Sequence, residues 1–126
     1  MIFAFQVEKY RIWYGADVEK QFSSSQFSPP FKAVLECKGS TSSGTAFIQF
    51  DENVAKSTTN VWKSTRGAKV FHKTDMSNYQ NYVDTLRNEG PVAIAYEEGR
   101  EGIYDSGKFF IMTLDEPVGE GEFSPE

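Results

Sequence analysis

A chain of 126 residues with 39% hydrophobic and 25% charged residues has the size and composition of one folded domain, which excludes a disordered polymer or a fibrous repeat. Its single cysteine, Cys37, excludes an internal disulfide framework and a multi-cysteine metal site, so the fold has to be held by its core. The net charge of −5 is unevenly spread: Asp115, Glu116, Glu120, Glu122 and Glu126 form an acidic tail without a base, and the remainder of the chain is neutral. No apolar run reaches the ~18 residues that span a bilayer. The opening apolar residues meet Glu8 and Lys9 too soon for a signal peptide, so a soluble, cytoplasmic protein with no membrane association is expected.

Residues 2–14 alternate with period two, placing Phe3, Phe5 and Val7 on one face and then Tyr10, Ile12 and Tyr14 on the next apolar face. The parity changes at Glu8-Lys9. A hairpin turn or a bulge would explain it, and the absence of Gly or Asn favours one long strand with a bulge that swaps its faces. Residues 16–30 read as a polar loop, broken by Ser23-Ser24-Ser25 and Pro29-Pro30; a loop this long is expected to be functional or mobile. Residues 31–38 then alternate, with Phe31, Ala33, Leu35 and Cys37 facing inward, and residues 45–50 place Ala46, Ile48 and Phe50 inward. Between them, residues 39–44 are turn chemistry, so the two strands form a hairpin.

The spacing of Gly39 and Gly44-Thr45 copies a phosphate-binding loop superficially, but the lysine is missing and a strand follows. Residues 51–59 read as a polar loop, followed by short strand pieces at 61–63 and 68–73. Tyr79, Tyr82, Val83 and Leu86 then recur at helical spacing, predicting one helix over 75–88, capped at Ser77 or Asp75 and stopped by Gly90 and Pro91. Residues 91–96 and 109–114 complete the strands. Residues 1–114 are thus expected to form one β-rich domain, and 115–126 a flexible tail that recruits a protein partner through Phe123 or competes for a basic groove.

This order resembles the OB-fold, a small five-stranded antiparallel barrel with one helix between its third and fourth strands and a bent first strand. A curved sheet carrying the same helix gives a similar string.

For chemistry, the lone His72 and the inward-facing Cys37 supply no nucleophile–base pair, and neither lies in a cluster of metal ligands. The expectation is a protein without catalytic residues, metal or cofactor. Residues 53–74, by contrast, hold Lys56, Lys63, Arg66, Lys69 and Lys73 with no carboxylate. Period-two parity puts Lys9, Arg11 and Trp13 on one strand face and Lys69, Phe71 and Lys73 on another, with Trp62 and Lys63 just upstream and Phe47 pointing away from the core.

Aromatics interleaved with cations on a sheet suit single-stranded nucleic acid, whose bases stack at about 1–3 kcal/mol each while Lys and Arg follow the phosphates. The expected binding residues are Lys9, Arg11, Trp13, Phe47, Trp62, Lys63, Arg66, Lys69, Phe71 and Lys73. The alternative is a protein-interaction module, an inhibitor or assembly factor, that uses the same aromatic face as an apolar anchor; a homodimer would bury that face.

Overall fold

The parity change at Glu8 and Lys9 marks the place where the chain passes from one sheet to another. The computed structural model describes residues 2–24, 26–40, 44–64, 67–97 and 108–114. In it β1 (Ile2–Gln6) and β2 (Lys9–Tyr14) form one bent path. The Val7 N–H donates to the Val92 carbonyl at 2.8 Å and the Glu8 N–H to the Lys38 carbonyl at 2.8 Å, so adjacent residues bond to different sheets. Phe3, Phe5 and Val7, and then Tyr10 and Ile12, therefore all reach one core despite their opposite parity. Tyr14 does not follow them: it is 70% exposed, with its ring 6.2 Å from that of Tyr79.

β3 (Ala33–Lys38) and β4 (Gly44–Asp51) form the expected hairpin, with Ala33 opposite Phe50 and Cys37 opposite Ala46. The Gly39 N–H closes the turn on the Gly44 carbonyl at 2.9 Å. Gly44 has φ +147°, and a Cβ there would lie 3.0 Å from the Ala68 carbonyl oxygen, so only glycine fits. β5 (Thr58–Ser64) pairs antiparallel with β6 (Gly67–Asp75), and β6 runs parallel to β4. The larger sheet has the order β2-β3-β4-β6-β5; the smaller has β1 beside β7 (Val92–Glu97) and β8 (Phe109–Thr113).

The core lies between the sheets, built from Phe5, Ile94 and Tyr96 of the smaller and Leu35, Ile48, Phe50 and Val70 of the larger. Asp75 starts the helical segment: its carboxylate accepts the Ser77 N–H at 3.0 Å and the Val54 N–H at 2.9 Å, and hydrogen bonding from the Ser77 side chain first, then from these two backbone groups, holds it below the usual carboxylate range. A 3₁₀ turn over Met76–Asn78 leads into α2 (Tyr79–Asn88), whose Tyr79 and Tyr82 rings meet Phe50 edge-on at 5.1 and 5.8 Å. A shorter helix, α1 (Val18–Gln21), precedes it in the chain.

The protein is thus mainly β, with two sheets and one longer helix. Five expectations need correction. The described residues contain eight strands and no closed barrel, and the long helix sits between the sixth and seventh strands, not the third and fourth. The bend divides the first strand in two, and the pieces expected at 61–63 and 68–73 extend into a full antiparallel pair. Phe31 does not share the Ala33 face; the strand begins only at Ala33, and Phe31 packs with Val18 and Val34 in a second cluster.

His72 and Cys37 have structural surroundings. The His72 Nδ1 lies 2.9 Å from the Thr59 hydroxyl, and its ring stacks on Phe109 at 4.0 Å, joining the two sheets. Burial pushes its pKa down to about 4, so the ring is neutral. Burial, aided by the nearby Glu36 carboxylate, pushes the Cys37 thiol up to about 12, which removes its nucleophilicity.

Candidate functional site

Period-two parity and strand register align the outer face of the larger sheet into rows. Lys9, Lys38, Thr45, Lys69 and Trp62 stand side by side across the five strands. The next row is Arg11, Glu36, Phe47, Phe71 and Asn60, and the third is Trp13, Val34, Gln49, Lys73 and Thr58. Eight of the ten residues expected from sequence fall in these rows. Lys63 stands opposite Ala68 in the register, outside them, and Arg66 lies outside the described residues.

Part of this face is covered by the chain itself. The segment following β2, of which residues 16–30 were expected as a polar loop and Phe31 as the start of the next strand, carries α1 and three phenylalanines, Phe22, Phe27 and Phe31, which pack with Val18 against Val34, Trp13 and Phe47. Phe27 meets Phe47 and Phe71 edge-on at 5.3 and 5.2 Å, while Phe47 and Phe71 stack nearly parallel at 5.3 Å. Edge-to-face and offset-stacked pairs such as these add about 0.5–1.5 kcal/mol beyond the area buried.

Polar contacts fasten the same segment. The Gln49 side-chain oxygen accepts the Ser28 N–H at 2.8 Å, the Glu19 carboxylate accepts the Phe31 N–H at 2.9 Å, and Lys73 Nζ donates to the Ser28 carbonyl at 2.8 Å.

This covering corrects the expected exposures. Phe71 is buried at 6% and Phe47 is half-buried, so neither is an open stacking platform. Trp13 is half-buried, its ring edge-on to Phe22 at 5.2 Å and its Nε1–H donated to Glu36 at 3.0 Å. The Arg11 guanidinium lies over the Trp13 ring, 5.7 Å from its centroid. Trp62 alone of the expected aromatics is an exposed ring, at 51%.

Between the covering segment and β5 a groove runs along β6. One part, about 370 Å³, is bounded by Phe27, Phe47, Phe71, Trp62 and Lys69, with Ser24 and Gln26 at its edge. The adjoining part, about 470 Å³, shares Gln26, Trp62 and Phe71 and adds Ser28, Gln49, Thr58, Asn60 and Lys73. Among the described residues no carboxylate lines either part. Lys69 also lines a third cleft of about 550 Å³ together with Lys9, Lys38 and Glu8.

Lys69 and Lys73 stand four residues apart on one strand face, about 13 Å at roughly 3.3 Å per residue, with the Phe71 ring between them. Neither Lys9 nor Lys69 has a carboxylate within ion-pair distance among the described residues, whereas Lys38 Nζ is 3.3 Å from Glu36. The arrangement offers a flat ring, an aromatic floor and spaced cations. Among the described residues no group of three or more His, Cys, Asp or Glu is placed to hold a metal ion.

Phe27, Lys38 and Asn60 join the site without having been singled out by sequence. Lys38 was legible in principle, because it shares parity with Glu36 and pairs with Lys9. The recurrence of Phe22, Phe27 and Phe31 was the available sign that the segment is packed, since a solvated loop has no use for three phenylalanines. No protein-family model, no curated protein and no solved structure matches this chain.

Proposed function

We propose that this protein binds single-stranded nucleic acid, without catalysis, in the groove along β6. The observation that carries the reading is the exposed Trp62 ring beside a groove that has Lys69 and Lys73 at its two ends and, among the described residues, no carboxylate in its lining. A base stacked on Trp62 would place its flanking phosphates near those ammonium groups, and the Lys9–Lys38–Lys69 cleft would extend the path.

A bent chain path that passes from one sheet to the other, with a helix ahead of the last antiparallel pair, is shared with the OB-fold, whereas the parallel β4–β6 pair and the two open sheets among the described residues are not, so the nucleic-acid reading rests on the groove. None of the described helices is long and apolar enough to cross a membrane.

Intrinsic tryptophan fluorescence, titrated with a mixed-sequence single-stranded oligonucleotide at two salt concentrations, tests the reading. Saturable quenching that weakens steeply with salt is expected, since each neutralised phosphate releases a counterion. The absence of any response at low salt contradicts it. The apolar walls of the 370 Å³ cavity favour one competitor, a protein-interaction module anchored on Trp62, whose binding would depend far less on salt.

A further inference from the structure

Gln49 is 2% exposed, yet it lines the wider part of the groove. Its orientation is set by Ser28: a backbone N–H needs an acceptor, so the Gln49 oxygen faces it at 2.8 Å. The amide nitrogen then has two hydrogens and no acceptor among the described residues. A buried donor left unpaired costs about 1–3 kcal/mol, so the position is suited to a ligand that supplies an oxygen. Asn60, half-buried on the neighbouring strand β5, lines the same space and has a second amide to offer.

We propose that this part of the groove reads the edge of an unpaired nucleobase beside Trp62 and favours keto bases over amino bases. The inference rests on the nucleic-acid reading above and adds to it a preference for base type. Uracil, thymine and guanine carry an exocyclic oxygen where cytosine and adenine carry an amino group. The oxygen accepts from the Gln49 amide and from Asn60 together. An amino group in its place sets donor against donor and leaves the Gln49 nitrogen unpaired in a buried site. Stacking on Trp62 is indifferent to this exchange, because every base has a π-face.

Deoxyuridine and deoxycytidine oligonucleotides of equal length make the test, since their rings differ only in that exocyclic group and the adjoining ring nitrogen. The wild-type protein should bind the deoxyuridine oligonucleotide about five-fold more tightly, the size of effect that one net hydrogen bond supplies. Gln49→Glu keeps an acceptor for Ser28 and replaces the free donor by an oxygen, so the preference should vanish or invert while the added charge weakens both affinities alike.

Thermal melting checks that this variant folds; Asn60→Asp, at a half-exposed position, lowers the same ratio by an independent route. Equal affinities in the wild type, or a ratio unmoved in both variants, overturn the base-reading proposal and leave nucleic-acid binding standing. Failure of either oligonucleotide to bind at low salt overturns the nucleic-acid reading and this inference with it.

Discussion

Lys73 Nζ donates to the Ser28 carbonyl oxygen at 2.8 Å, a contact that ties the floor of the groove to its wall across 45 positions of sequence. An ammonium has three donors, so one given to the carbonyl leaves two for a phosphate at the mouth of the groove. The side chain thus serves the covering segment and the candidate ligand at once.

Lys73→Met should separate these roles. The slope of log affinity against log salt should fall by about one, with affinity reduced evenly across oligonucleotide sequences. Amide exchange at Ser28 should also quicken as its wall loosens. An unchanged salt slope would assign Lys73 to the covering segment alone.

Trp62 and Phe71 should respond differently to truncation although they stand on adjacent strands. Trp62→Ala removes an exposed ring, so binding should weaken by about 1–3 kcal/mol while stability moves by about 0.5 kcal/mol or less. Phe71→Ala empties a buried site beneath Phe27 and should cost about 3–5 kcal/mol of folding stability. Chemical denaturation beside an oligonucleotide titration distinguishes the two outcomes.

The contrast between these rings shows what the sequence could and could not convey. Alternation in β3 and β4 identified the inward residues Leu35 and Ile48 correctly, because each strand has one face on a shared core. The parity change at Glu8-Lys9 was legible for the same reason, but its cause was not: it is a change of sheet, which keeps both Phe5 and Ile12 inside, and not the expected bulge in one long strand. Parity also placed Phe47 and Phe71 on the outer face.

Their burial was not legible, since it depends on a segment from earlier in the chain lying across them, and period two says nothing about what covers a face. Gln49 shows the same limit, polar in sequence and 2% exposed in the fold. The parallel pairing of β4 with β6 is a long-range choice with no local signal, and it is foreign to the expected antiparallel barrel.

His72 provides a pH prediction. Its folded pKa, about 4, lies below the ordinary value of 6.5, so the unfolded chain takes up a proton that the folded protein refuses. Stability is therefore full above about pH 6.5 and is lost as the pH falls toward 4, with about 2 kcal/mol gone between pH 7 and pH 5. Urea unfolding at those two pH values should show this loss, and His72→Gln should show a much smaller one. Equal pH dependence in the variant would mean that other groups carry it.

The most direct test of the groove is photocrosslinking of a single-stranded oligonucleotide bearing 5-iodouracil, with the adduct located by mass spectrometry. The adduct should fall on Trp62 or on the flanking residues of β5 and β6, with loss of yield as salt is raised. Adducts confined to the opposite sheet, for example at the exposed Phe110 of β8, would contradict it.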